Sequence, residues 1–375
     1  MNKETSTFDF YSFLRLIRTG NLLIIAATQY LIGYFVINGL LYYPNQKIIE
    51  DYKAYQANSP LELGLQLSHL DFFLLVLSTV FIAAAGYIIN DYFDVRTDRI
   101  NKPSNVIIDK GIKRRLAMLT HTVFNIIGVA LGFYIAWKIG NWKFGLIHLL
   151  MATLLWFYST TFKKMFLAGN LLVAFFTAMV PLVIVLFDVY LLQIRLQNQL
   201  LIDPVFRAFI QNVDLVFYLR LPFYFAFVFA LFAFLTNLMR EIVKDMEDMA
   251  GDMETGGNTM PITIGVKSAK RIVQVINVFT ISLLTIAVIG LLLPNQDFVW
   301  YKTGKTTNSN LNQDFLSTFY VLIFILIPLI LFSFSFHKSN SPKMFRRSGM
   351  LLKWVMVAGV LYSLVIWYTF TQPIQ

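Results

Sequence analysis

The 375-residue chain has no cysteine, so disulfides, thiolate metal sites and a cysteine nucleophile are excluded. Histidine is scarce. His69, His121, His148 and His337 lie far apart without metal-ligand spacing, and read as packing or helix-end residues. Charge is scarce too: 14% of residues are Asp, Glu, Lys or Arg, where a soluble domain would carry about one quarter. No secretory signal is expected. Met1 to Arg18 is polar and mixed in charge, and the apolar run after it is too long for a signal core.

What is present is apolar. Hydrophobic residues make up 57% of the chain, with 36 phenylalanines, and they fall in runs of about 20, the length that crosses a bilayer as a helix. These runs do not alternate as barrel strands would, and helices are the other way to satisfy a backbone in lipid. The expected fold is all-α: a polytopic membrane protein with nine transmembrane helices around a central cavity. The spans are expected at roughly 20–43, 68–90, 115–138, 142–161, 166–193, 219–242, 269–293, 315–336 and 350–371. One intramembrane domain, 1–375, is expected. Residues 1–19 form an N-terminal segment, and long outer loops fall at about 44–67, 194–218 and 294–314.

The N-terminus and the loops after the even-numbered spans, with adjacent helix ends, hold 22 of the 31 basic residues. That asymmetry places them in the cytoplasm, as in a plasma or inner membrane. The net charge of +10 then reads as basic loops meeting anionic lipid rather than nucleic acid.

Two acidic stretches close apolar runs on that same face. The first holds Asn90, Asp91, Asp94 and Asp98, and the second Asp245, Asp248 and Asp252. Within each, the aspartates stand at i, i+3 and i+7, an arc of roughly 60° on a helix. The second set follows the first by 154 residues, which suggests two related four-helix halves plus one helix. Ionised groups at membrane depth cost about 2.5–3.5 kcal/mol each and are functional by default. The plain alternative, a solvated loop, explains one such residue better than two matched triads.

Six carboxylates without soft ligands suit Mg²⁺, or Mn²⁺. Because Mg²⁺ takes one or two carboxylates and completes its shell with water and substrate phosphate, two facing triads suggest ions gripping a diphosphate. Arg18, Lys163 and Lys164 are the favoured phosphate binders, and Arg99, Arg240 and Lys244 lie within or beside the motifs. Orientation by positive charge alone accounts for any one of them equally well. Tyr92, Phe93, Trp156, Phe157, Tyr158, Phe175 and Phe176 would wall the interior. Aromatic stripes are usually packing, but ring faces here would also solvate a cation.

These residues resemble the UbiA-type intramembrane prenyltransferases. The likeness lies in the two Asp-rich motifs and in Gly257-Asn258-Thr259-Met260-Pro261-Ile262. It extends to Arg18 with Asn21 in the first helix and Tyr158 with Lys163 at the fourth. It implies Mg²⁺-dependent transfer of a polyprenyl group from its diphosphate to an acceptor. All six aspartates would be metal ligands, Asp91, Asp94, Asp248 and Lys163 the catalytic group, and Arg18, Asn21, Asn90, Arg99, Tyr158, Lys163, Lys164, Arg240 and Lys244 substrate contacts. The segment Arg240 to Asp252 is most similar to the branch whose acceptor is the hydroxyl of a prenylated glycerol phosphate. An aromatic acceptor, as in quinone synthesis, is the alternative. A cation or proton-coupled transporter is the reading from another class. It would not need matched triads with basic residues around them.

Overall fold

The apolar runs fold as long helices. The computed structural model describes residues 9–41, 63–104, 106–204, 206–207, 215–292 and 315–371. The loop expected at 294–314 lies outside these residues, as do residues 1–8 and most of 44–67. In chain order the helices are α1 (Phe10–Leu16), α2 (Thr19–Leu41), α3 (His69–Asn101), α4 (Arg114–Lys138), α5 (Gly145–Thr160), α6 (Ala168–Ile202), α7 (Leu215–Glu254), α8 (Met260–Leu292), α9 (Phe315–His337) and α10 (Pro342–Thr371). Among the described residues the β structure amounts to one isolated bridge, Ile108 to Ile112. The protein is an integral membrane protein.

Eight of these helices are long and apolar enough to cross a membrane. The fourth expected span is the exception. Residues Trp142–Phe144 form a 3₁₀ turn, and α5 that follows has 16 residues, about 24 Å. It ends at Thr160, where the expected span ends, and a second 3₁₀ turn, Phe162–Lys164, carries Lys163 and Lys164. That turn brings Lys163 to the acidic end of α3. Helices α2 and α9 each contain a π-helical stretch, Ile32–Ile37 and Leu322–Leu326, for which the sequence carries no signal.

Of the outer loop expected at 194–218, residues 205 and 208–214 lie outside the described residues, and the described part is largely helix. α6 continues to Ile202 and α7 begins at Leu215. Packing holds the added turns, and a buried acid just before them holds the segment that leads into α3. Leu192 and Leu196 are buried, and Asp188 Oδ1 accepts from the backbone N–H groups of Gln66 and Leu67, each at 2.8 Å. Arg195 adds a bond to Gln66 Oε1 at 2.9 Å. The segment before α3 is thereby fastened to the extended end of α6.

Three apolar clusters carry the fold. One, around Phe72, Leu75, Ile184 and Phe187, joins α2, α3, α4 and α6. A second, around Met239, Ile242, Leu329 and Leu352, joins α7 to α10. The third is small and sits beneath the first motif. Leu16, Ile88, Val95, Ile108, Ile112 and Ala117 pack together there. Burying such side chains is worth about 1.5–3 kcal/mol each, so the loop between α3 and α4 is anchored rather than loose.

Candidate active site

Both motifs are helical, as their spacing requires. Asp91, Asp94 and Asp98 are on the last turns of α3, and Asp245, Asp248 and Asp252 on the last turns of α7. All six line one polar cavity of about 580 Å³. The two helix ends are stitched together beside it. Thr97 Oγ1 lies 3.1 Å from Thr255 Oγ1, and Lys102 Nζ lies 3.0 Å from Glu247 and 2.6 Å from Asp248. Asn101 donates from Nδ2 to Asp248 O at 2.7 Å and accepts at Oδ1 from Gly251 N at 2.8 Å.

Four of the aspartates are held by neighbours. Arg18 Nη2 donates to Asp91 Oδ1 at 2.7 Å. Arg18 sits at the break between α1 and α2 with φ +52°, a left-handed conformation uncommon outside glycine. Its guanidinium also lies 5.0 Å from the Tyr87 ring centroid. Lys163 pairs with Asp94 and donates to Asn90 Oδ1 at 3.1 Å, while Asn90 Nδ2 donates to Asp94 at 2.8 Å. Burial pulls the Lys163 ammonium down, but the charge of Asp94 and its hydrogen bond outweigh that and hold it above the usual lysine value. Asn170 Nδ2 donates to Asp245 at 2.8 Å, and Lys102 holds Asp248.

Asp98 and Asp252, one from each motif, have no side-chain partner among the described residues. Nor do three carboxylates or histidines converge closely enough among those residues to hold an ion by themselves. Oxygen donors split between two facing helices still fit Mg²⁺, which draws the rest of its shell from water and substrate phosphate.

A second cavity of about 300 Å³ adjoins the first, lined by Ile24, Ile82, Met151, Leu155, Phe176 and Val183, among others. Arg18, Asn90, Tyr158, Glu241 and Lys244 line both and form the shared wall. From Asn90 the apolar cavity follows α3 inward to Thr79, eleven residues or about 16 Å. There Gln29 Nε2 donates to Thr79 Oγ1 at 3.1 Å and to Val180 O at 3.2 Å.

The expected substrate contacts divide. Lys163, Lys164, Tyr158 and Lys244 reach the polar cavity, and Asn21 and Arg240 reach only the apolar one. Arg99 does neither; it turns outward to Asp109, 3.7 Å away, which Arg114 also holds. Of the expected aromatic wall, Phe93 lines the polar cavity, Phe176 the apolar one and Tyr158 both. Trp156, Phe157 and Phe175 are exposed on the helix surfaces.

Sequence reasoning passed over Asn101, Asn170, Glu241 and Lys353 as site residues. Asn101 and Glu241 carried a signal, since each lies inside a motif stretch. Asn170 and Lys353 carried none, because only the fold brings them close.

The profile of the UbiA prenyltransferase family matches residues 57–304. The chain belongs to this family. Among curated relatives, the digeranylgeranylglyceryl phosphate synthase of Pyrococcus abyssi is 33% identical over 200 residues. That match covers 53% of this chain and 58% of the relative, so it spans less than two thirds of the relative's length. A solved structure concerned with digeranylgeranylglyceryl phosphate synthase in membranes has a TM-score of 0.54 at 21% identity, covering 95% of this chain and 98% of that one. The apo structure of a UbiA homolog from Aeropyrum pernix K1 gives 0.52 at 13% identity, covering 91% and 97%. These UbiA structures share the fold of this chain.

Proposed function

We propose that the chain transfers a polyprenyl group from its diphosphate to the hydroxyl of a prenylated glycerol phosphate, as one intramembrane domain whose site faces the cytoplasm from a plasma or inner membrane. The observation that carries the reading is the pair of adjoining cavities. A carboxylate rim fit for metal and diphosphate shares a wall with an apolar space fit for a prenyl tail. The P. abyssi relative's name supports the acceptor.

In this reading Asp98 and Asp252, with Asp91, Asp94, Asp245 and Asp248, hold Mg²⁺. When bound, Mg²⁺ offsets charge developing on the diphosphate leaving group. Lys163 and Lys164 share that load from the turn after α5, and Arg18 does so from across the cavity. Fixed cations aimed at a developing negative charge lower the barrier more than they lower the ground state. The bond from prenyl C1 to the diphosphate oxygen breaks, and the acceptor oxygen bonds to C1. The diphosphate leaves, and the hydroxyl proton passes to a carboxylate of the rim. Tyr158 and Phe176 present ring faces to positive charge building at C1.

The test offers purified protein labelled prenyl diphosphates of several lengths with glycerol phosphate and aromatic acceptors, with and without Mg²⁺. Products are identified by mass. Transfer only to aromatic acceptors would overturn the acceptor. Full turnover in excess chelator would overturn the metal.

A further inference from the structure

On the apolar cavity's side of the shared wall, α7 presents a polar stripe. Asn237, Arg240, Glu241 and Lys244 stand at i, i+3, i+4 and i+7 and all line that cavity. Helix α10 faces them with Lys353, Met356 and Val357, again at i, i+3 and i+4. Lys353 therefore shares its face with cavity-lining residues, while its neighbour Trp354 points away and is 71% exposed. Lys353 is itself exposed, yet its Nζ turns toward the cavity and reaches Asn21.

The charges there do not balance. Arg240 Nη1 lies 2.5 Å from Glu241 Oε1, and Lys244 lies 3.9 Å from Glu241 Oε2, so one carboxylate serves two cations. Lys353 Nζ reaches a neutral amide, Asn21 Oδ1, at 3.0 Å. Arg18 is already paired with Asp91. No aspartate lines this cavity among the described residues. Lys244, on the shared wall, also faces the aspartates of the polar cavity, whereas Arg240 and Lys353 line only the apolar one, against the single carboxylate of Glu241, which leaves an excess of positive charge there. Arg240 and Lys244 are partly buried and Lys353 is exposed, so these cations are open to an anionic ligand. A phosphate monoester carries about −1.5 to −2 near neutral pH and would pair with both Arg240 and Lys353.

We infer that Lys353 and Arg240, with Asn21, form a second anion site that binds the phosphate monoester of the acceptor lipid, apart from the site that binds the prenyl diphosphate. This rests on the glycerol phosphate reading above. The polar cavity has its own cations in Lys163 and Lys164, and neither Arg240 nor Lys353 lines it. The acceptor phosphate would sit across the shared wall from the leaving group, so the acceptor's hydroxyl is held between the two anions. An acceptor without the phosphate would lose this anchor, which makes the site a selector for phosphate-bearing acceptors.

The experiment uses the full chain in nanodiscs of zwitterionic lipid, with saturating Mg²⁺. A prenyl glycerol phosphate and the same ether lacking its phosphate serve as acceptors. Lys353→Met keeps length and removes charge. It should raise the acceptor KM by about tenfold or more, as loss of a charge-assisted hydrogen bond does, and leave the prenyl diphosphate KM within about twofold. Lys353→Arg should restore most of the affinity. Turnover of the dephosphorylated acceptor should not respond to either change. Arg240→Gln is the second variant, and thermal unfolding confirms that each variant folds.

An unchanged acceptor KM in folded Lys353→Met and Arg240→Gln overturns the site and leaves the proposed reaction standing. An equal rise for both substrates assigns the cations to the diphosphate and also overturns it. An equal loss with the dephosphorylated acceptor assigns Lys353 to bulk lipid headgroups. Wild-type protein that rejects glycerol phosphate acceptors altogether overturns the reaction and the site together.

Discussion

Asn101, the last residue of α3, grips the backbone of α7 at Gly251. Its amide accepts from Gly251 N at 2.8 Å and donates to Asp248 O at 2.7 Å. A Cβ built on Gly251 would lie 2.6 Å from Asn101 Nδ2, so glycine is what lets the amide in. One side chain at the end of the first motif thus sets the distance to the second.

Breaking that grip should misplace both carboxylate faces without emptying either. Asn101→Ala is expected to cost about 1–3 kcal/mol of stability, since it removes two hydrogen bonds between α3 and α7. Turnover should fall at least about tenfold, because small displacements of reacting groups are expensive. Gly251→Ala should have the same effect from the other side. Unfolding midpoints in detergent and kcat measure the two effects. Wild-type kcat in both variants would contradict the role.

Asp98 and Asp252 should behave differently from Asp94. Neither has a side-chain partner to lose, so Asp98→Asn and Asp252→Asn should raise the Mg²⁺ concentration for half-maximal turnover. Their metal-free unfolding midpoint should hold or rise, because like-charge repulsion falls. Asp94→Asn also cuts turnover but unpairs Lys163, and its midpoint should drop. Melting curves with and without Mg²⁺ separate the cases.

Lys163→Met should lower kcat by about 10²–10³, the usual cost of removing one donor aimed at developing negative charge. The KM for prenyl diphosphate should move much less. A KM effect as large as the kcat effect would make Lys163 a simple anchor.

Cationic character at C1 should show with a fluorinated allylic diphosphate, whose electron withdrawal opposes a cation. Turnover should slow well below that of the natural substrate in single-turnover assays. Phe176→Leu should cost less than about thirtyfold, since one ring face supplies about 0.5–2 kcal/mol.

The motif faces were legible because the helix repeat is 3.6 residues: spacing of three and four fixes a face wherever the helix goes. The failure at Arg99 follows from the same geometry. Arg99 comes one residue after Asp98, about 100° around α3, and that turn points it at Asp109 instead of the cavity. Lys353 was invisible for another reason. Its partner Asn21 lies 332 positions away, and no local pattern encodes such a meeting. The long outer loop was misjudged because the polar residues between Gln193 and Gln199 read as a break. In the fold, Leu192 and Leu196 keep a buried stripe and the helix continues.

The turn that bears Lys163 is tied to the turn after the second motif. Asn258 N donates to Lys164 O at 2.9 Å, and Lys164 Nζ reaches Thr255 O at 3.3 Å. Neither turn can swing without breaking these bonds or taking the other along. The turn that carries Lys163 and the turn that follows the second motif thus respond to a bound diphosphate as one body rather than two.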